Sequence, residues 1–270
     1  MPQSPFLAFD LDGTLTNEEK IITPRTYAAL MEAQRQGARI ILASGRPPYG
    51  MQPLCDQLEM VRYGGIMLAY NGGHVEDVAT GNVIYEQLMP DTFLPRFKAW
   101  QEESGMTLMS YYKDHIYTEH PDDRYVHQSA KNNNMQIVAV EDFVRDMPRP
   151  INKCLMVGDP AVAARWEKRM IDESKGEINV CRSTPYFIEL LPLGIDKGLA
   201  LAKLMPLLGT TTDHLIAFGD SYNDIGMLQT AHIGVAMGNA EDAVKAVADY
   251  ITDTNENDGI AQALQILNLT

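Results

Sequence analysis

A chain of 270 residues has room for two modest domains or one large α/β domain, and 45% hydrophobic residues beside 21% charged ones argue against disorder. With 36 acidic residues against 22 basic ones the net charge is -14, so no extended basic surface is expected to meet nucleic acid or an anionic membrane. An anionic substrate would have to be met by local positive charge: a metal, a few Lys or Arg side chains, and backbone N–H groups.

Three cysteines, Cys55, Cys154 and Cys181, are odd in number, far apart and set in apolar contexts. They read as buried thiols of a reducing compartment, and no zinc spacing is present. No apolar run approaches the length of a membrane span. The start, Met1-Pro2-Gln3-Ser4, has no basic n-region and Asp10 interrupts the apolar stretch that follows, so no signal peptide is expected and a cytoplasmic location is.

Residues 6–9, four apolar positions bounded by Pro5, have the pattern of a strand buried on both faces. The strand delivers Asp10 and Asp12 at an i,i+2 spacing, and Gly13 then permits a tight turn. Two acids at the end of a buried strand are costly to bring together unless a cation or a proton separates them. A plain Asp/Gly turn accounts for this stretch taken alone. After a polar loop at 16–22, Thr23 can cap a helix with Pro24 in its first position, and Gly37 stops it. A second apolar strand at 38–43 ends in Ser44-Gly45-Arg46-Pro47. Strand, helix and strand make a βαβ unit, so both strands should run parallel and end on one side, with Asp10, Asp12 and Ser44 near one another. A short helix at 49–58, broken by Pro53, leads to a strand at 66–70 that ends in Asn71-Gly72-Gly73. Residues 74–78 and 83–86 read as a β-hairpin.

From residue 88 to 187 the texture changes. A helix from 91 to Gly105, strands at 107–112 and 115–119, a polar helix at 124–132 and a strand at 136–140 follow in turn. After a Pro-broken segment at 147–150 come a strand at 153–157, a helix capped by Asp159, and strands at 178–182 and 187–191. This reads as an α+β module with helices on one face of an antiparallel sheet. Tyr111 and Tyr112 alternate across a strand, so one is expected to pack and the other is open to a site. The module looks inserted, because the parallel texture resumes: Lys197-Gly198 opens a helix to 208, and a strand at 214–218 ends in Gly219-Asp220-Ser221-Tyr222-Asn223-Asp224. A helix to 231, a strand at 233–237, a helix capped at Gly238-Asn239, a strand at 250–252 and a helix at 259–267 complete the chain. The expected organisation is a core of residues 1–87 and 188–270 around an insertion at 88–187.

Three strands thus end in polar, Gly-containing turns on one predicted edge. They carry Asp10, Asp12, Asp220 and Asp224 together with Thr14, Ser44 and Asn223. Gathered hard oxygens suit Mg²⁺, and calcium is the lesser reading because no EF-hand spacing is present. Ser44 and turn N–H groups can bind phosphate oxygens, and Lys197 can supply a point charge. A carboxylate nucleophile is repelled by phosphate, and Mg²⁺ with Lys197 would permit an aspartyl-phosphate intermediate. The six histidines show neither metal spacing nor a triad.

Taken together, Asp10-Leu11-Asp12-Gly13-Thr14, Ser44-Gly45-Arg46, Lys197-Gly198 and Gly219–Asp224 resemble the motifs of haloacid dehalogenase superfamily phosphatases, in particular the Cof-type group with a large α+β (C2B-type) cap. Tyr70-Asn71-Gly72, Gly234–Ala240 and Asn257–Ala261 are similar too, and the likeness covers essentially the whole chain. The resemblance implies an α/β fold: a Rossmann-like parallel-sheet core with an inserted α+β cap domain that excludes water and selects the leaving group. It implies Mg²⁺-dependent hydrolysis of phosphate monoesters of small metabolites: sugar phosphates, nucleotide-like phosphates or cofactor phosphates. Asp10 is then the nucleophile, and Asp12 the acid for the leaving oxygen and afterwards the base for water. Asp10, Asp12 through its backbone carbonyl, and Asp220 hold the metal, with Asp224 bound directly or through water. Ser44, Gly45, Lys197 and Asn223 belong to phosphate binding, with Asn71 and Arg46 on the substrate side. Plainer roles stay open for Asp224 as a helix cap, Asn71 as a turn residue and Arg46 as a surface ion pair. A phosphomutase on the same scaffold, or a regulatory module retaining the fold, is the rival reading, and phosphate release separates the first from a phosphatase. The side chains of Asp10 and Asp12 are expected to converge on one pocket facing Ser44, Lys197 and Asp220. Neither the substrate nor the oligomeric state is legible.

Overall fold

The computed structural model describes residues 4–270. The signal-peptide expectation rests in part on residues 1–3, which lie outside the described residues. Two compact units divide the chain: one comprises residues up to 45, 51–85 and 196–270, the other 46–50 and 86–195.

The first unit opens with β1 (Phe6–Phe9), buried along its whole length. Thr23 accepts a hydrogen bond from the Thr26 N–H and Pro24 takes the first helical position, which starts α1 (Pro24–Arg35). The chain returns in β2 (Arg39–Ala43), parallel to β1 with Phe9 beside Leu42. It continues through α2 (Pro48–Gln57) and the single turn α3 (Met60–Tyr63) into β3 (Ile66–Ala69), parallel to β2. The expected hairpin is present as β4 (His74–Asp77), antiparallel to β3, and β5 (Asn82–Glu86) at the sheet edge.

The inserted unit holds α4 (Leu94–Ser104), β6 (Thr107–Tyr112), β7 (His115–Thr118), α5 (Arg124–Asn133) and β8 (Gln136–Ala139). It then adds α6 (Phe143–Asp146), β9 (Cys154–Val157), α7 (Pro160–Ser174), β10 (Ile178–Thr184) and β11 (Phe187–Pro192). Its sheet runs in the order β10-β11-β9-β6-β7-β8. The expectation of a wholly antiparallel sheet is corrected at one edge: β8 runs parallel to β7, with Ile137 beside Ile116. The segment between them is a helical crossover, α5, where a tight turn would have reversed the chain. Leu108, Cys154, Met156, Ile188 and Leu190 share a core with Phe97, Trp100, Phe143 and Met170 of α4, α6 and α7. The fourth helix departs from the expected single face. It meets Tyr111, which alternates with Leu108 and Ser110, and the Tyr111 hydroxyl lies 3.0 Å from Ser129 of α5. Tyr112 packs on the core of the other three helices.

Back in the first unit, α8 (Lys197–Leu207), β12 (Leu215–Gly219), α9 (Ile225–Thr230), β13 (Ile233–Ala236), α10 (Asp242–Lys245), β14 (Tyr250–Ile251) and α11 (Gly259–Ile266) follow. The main sheet has the order β14-β13-β12-β1-β2-β3-β4-β5 and is parallel from β14 to β3. Ala8, Ile41, Leu68 and Ala217 pack with Leu201, Leu204 and Met205 of α8 and Met227 of α9. Phe9 and Phe218 stack at 4.8 Å between ring centres, and α1 packs against α11. Strand order reverses at β1, since β2 follows on one side and β12 lies on the other. In open parallel sheets this is the point at which a crevice forms beyond the strand ends. Among the described residues, no helix is long and apolar enough to cross a membrane.

Candidate active site

Beyond β1 the Asp10 N–H donates to the Phe218 carbonyl (3.0 Å), which keeps Asp10 in line with the neighbouring strand. The chain then folds back: the Leu15 N–H reaches the Asp10 carbonyl (3.2 Å) and the Thr16 N–H the Leu11 carbonyl (2.9 Å). Gly13 sits in this turn at φ +91°, and a Cβ there would stand 2.5 Å from Oδ2 of Asp220. A side chain at position 13 is therefore excluded both by backbone conformation and by space. The Thr14 hydroxyl donates to Asp220 Oδ1 at 2.6 Å, which ties the first acidic turn to the turn after β12.

Asp220 is the first residue after β12, and Asp224 lies one turn on. Asp224 is fully buried, and its Oδ2 accepts from the N–H groups of Asp220 and Ser221, 3.0 Å each. Ser221 and Asp224 form a reciprocal capping box, so the helix-cap role left open for Asp224 is real and coexists with a place in the site. Its other oxygen receives Lys197.

Lys197 opens α8 behind Asp196, whose carboxylate accepts from the Leu199 N–H (2.9 Å). The Lys197 side chain is completely buried. Its ammonium donates to Asp10 Oδ1 at 2.5 Å and to Asp224 Oδ1 at 2.6 Å. Burial pushes the Asp10 carboxyl up, to about 8, with the charge of Asp224 acting the same way and Lys197 pulling back. Burial also works against the Lys197 ammonium, but Asp10 and Asp224 outweigh it and hold its pKa above the ordinary lysine value. Asp220 is raised by burial too, opposed by the Thr14 hydroxyl.

Asp10, Asp220 and Asp224 each offer a carboxylate oxygen within 4.8 Å of the others. With all three ionised, three carboxylates against one ammonium would leave two negative charges, and the raised Asp10 and Asp220 carboxyls register that unmet charge. Hard oxygen donors with that excess fit a divalent cation such as Mg²⁺.

Ser44 is buried at the end of β2. Its N–H donates to the Leu68 carbonyl (2.9 Å) and its carbonyl accepts from the Asn71 N–H (2.8 Å). Tyr70 and Asn71 both take left-handed backbone angles, φ 52° and 57°. Gly72 follows at φ +100°, where a Cβ would meet Ala200 of α8 at 2.5 Å. This turn sets the Asn71 amide beside Gly45 and lets its Oδ1 accept from Asn223 (3.1 Å). Arg46 belongs to the 46–50 segment of the other unit.

Asp12 takes a different partner. Its carboxylate, 39% exposed, lies 2.9 Å from the ammonium of Lys20 and is not one of the three clustered acids. Nothing in the polar loop at 16–22 signalled Lys20. The Ser221–Asp224 box, by contrast, was present in the sequence as a Ser three residues before an Asp.

Residues 7–264 match the haloacid dehalogenase-like hydrolase family. A haloacid dehalogenase-like hydrolase from Bacteroides thetaiotaomicron superposes with a TM-score of 0.94 at 42% identity, over 97% of this chain and 99% of its own. The 5-amino-6-(5-phospho-D-ribitylamino)uracil phosphatase YcsE of Bacillus subtilis is 30% identical over 264 residues, 96% of this chain and 94% of its own. A sugar phosphatase of haloacid dehalogenase subclass IIB has a TM-score of 0.83 at 25% identity, over 98% of this chain and 100% of its own. Its parallel sheet, its inserted second sheet as the cap, and the acids at the strand ends agree with these matches: the chain belongs to the haloacid dehalogenase-like hydrolases, as a Cof-type, subclass IIB phosphatase.

Proposed function

We propose that this protein is a Mg²⁺-dependent phosphatase that hydrolyses phosphate monoesters of small metabolites through a phosphoaspartate on Asp10. The observation that carries this reading is the cluster of Asp10, Asp220 and Asp224, with the Lys197 ammonium set between the two buried ones. Asp10, Asp220, Asp224 and the backbone carbonyl of Asp12 would hold the metal. When bound, Mg²⁺ supplies counter-charge for the carboxylates and for the phosphoryl oxygens.

In the first step a carboxylate oxygen of Asp10 attacks phosphorus. The ester P–O bond breaks, its electron pair stays on the leaving oxygen, and that oxygen takes a proton from Asp12. In the second step Asp12, now a carboxylate, takes a proton from water as the water oxygen attacks phosphorus. The bond from phosphorus to Asp10 breaks, which frees phosphate and restores the Asp10 carboxylate. Ser44 and Gly45 donate to phosphoryl oxygens, Lys197 and Asn223 support them, and Asn71 and Arg46 lie on the substrate side. Asp12 pairs with Lys20 in the resting protein, so it must take up a proton from solvent and leave that partner before it protonates the leaving oxygen.

Of the relatives named above, one is named for 5-amino-6-(5-phospho-D-ribitylamino)uracil and another as a sugar phosphatase. A phosphorylated sugar or polyol chain is accordingly the substrate class proposed here, with selection by the cap. Phosphate release from a panel of phosphorylated metabolites and an aryl phosphate tests the reading. Turnover should require Mg²⁺ and vanish in Asp10→Asn. Hydrolysis that survives this substitution would remove Asp10 as nucleophile, undiminished turnover in excess EDTA would remove the metal, and isomerisation without net phosphate release would make the protein a mutase.

A further inference from the structure

Two stretches have no part in the chemistry above: Gly238-Asn239 after β13, inside the family-like stretch Gly234–Ala240, and residues 253–258, which run into the family-like stretch Asn257–Ala261 before α11. Both run to the turn that carries Asp12. The Asn239 side-chain N–H donates to the Gly13 carbonyl (2.8 Å), and its Oδ1 accepts from the Asn255 N–H (3.0 Å). A carbonyl can only accept and a backbone N–H can only donate, so these two partners leave the amide one orientation. The Asn255 side chain in turn donates to the Thr16 carbonyl (2.9 Å), and Thr16 is bridged to Asp12. Further along the same loop, Glu256 accepts from the Glu18 N–H (2.7 Å). Two residues after Asn239, the Glu241 N–H donates to the Asp220 carbonyl (3.0 Å).

The acidic turn needs such support. Its Thr14-to-Leu11 hydrogen bond is long, 3.4 Å, and Gly13 gives the backbone freedom just after Asp12. Asn239 holds the Gly13–Thr14 peptide; without that hold, rotation about the Gly13 backbone angles would let Asp12 shift against the rest of the turn, and proton transfer tolerates little misplacement.

We infer that Asn239, held by Asn255, is a positioning residue for Asp12: it fixes the Gly13 peptide so that Asp12 meets the leaving oxygen. The inference rests on the reading of Asp12 as the proton donor to the leaving group. Removing the Asn239 amide should therefore harm esters whose leaving oxygen needs a proton and spare those whose leaving oxygen does not.

The experiment compares kcat/KM for an alkyl phosphate and for dinitrophenyl phosphate in wild type, Asn239→Ala, Asn255→Ala and Asp12→Asn, each with its melting temperature. For Asn239→Ala the alkyl ester should lose about 30-fold and dinitrophenyl phosphate less than about threefold, a part of the full contribution of a general acid. Asn255→Ala should show the same pattern, more weakly, and Asp12→Asn the same pattern, more strongly. If Asn239→Ala does not fold, Asn239→Asp takes its place, since it still accepts from Asn255 but cannot donate to Gly13. Equal losses on the two esters, or no loss, in the Asn239 variant while Asp12→Asn discriminates would overturn the inference alone. Absence of discrimination in Asp12→Asn would overturn the reading of Asp12 on which it stands.

Discussion

Lys197 has the greatest leverage of any single residue in the site. Its ammonium is fully buried and shared between Asp10 and Asp224, so removing it strands two carboxylates out of reach of water. Loss of one partner from such a buried arrangement costs about 3–5 kcal/mol, and Lys197→Ala should lose about that much stability in a urea titration run in EDTA, along with phosphate release. A result within about 0.5 kcal/mol of wild type, the range of an ordinary surface substitution, would mean that the ion cluster is not what holds this end of the core. At this scale the sequence was informative about residue types and silent about partners. Lys197 was legible as a charge at a helix start, but its bond to Asp224 spans two elements and no local pattern encodes it. Asp12 shows the same limit. Its i,i+2 spacing from Asp10 suggested a common pocket but gave no sign of Lys20, which lies 2.9 Å from its carboxylate.

Helix α8 presents Lys197 from its first turn, and Asp196 sets where that turn begins by accepting from the Leu199 N–H. Asp196→Ala should cost about 1 kcal/mol, as loss of an N-cap does, read as a lower midpoint with unchanged slope in guanidinium unfolding. Activity should fall with it, because the cap neighbours the buried lysine. Most elements of the parallel core were legible for a physical reason. Strands buried on both faces read as unbroken apolar runs, and Thr23-Pro24 and Gly37 bracket α1 by backbone chemistry. The short helices α3 and α6 have one turn each and show no period. The parallel pairing of β7 with β8 was illegible because alternation tells which face a residue takes and not which neighbour a strand chooses.

Across the whole molecule the buried cations are matched to acids. The two buried lysines among the described residues are both ion-paired, Lys197 as above and Lys153 with Glu189 at 3.1 Å. The thiols give the molecule a pH signature. Burial pushes Cys55 and Cys154 up to about 12 and Cys181 to about 11. Unfolded, each thiol would ionise near about 8.5. The folded chain therefore holds these protons longer, so their contribution is fully present below that pH and is lost as pH rises above it. Unfolding free energy should fall by up to about 1.4 kcal/mol per pH unit per thiol in this alkaline range. The slope between pH 9 and 10 should flatten in Cys55→Ala/Cys154→Ala, whatever that double variant loses at pH 7, and a slope unchanged from wild type would show that other groups govern alkaline unfolding.

The empty place at Gly13 is filled by the carboxylate of Asp220, a residue from the far end of the chain. Position 13 is therefore bound to the residue at 220. A change at 13 that adds even a methyl group displaces a metal-site oxygen, and any path through sequence space that enlarges 13 must first have relinquished the acid at 220. A phosphatase descended from this chain can vary its cap strand by strand, but while it keeps the acid at 220 it must keep the glycine at 13.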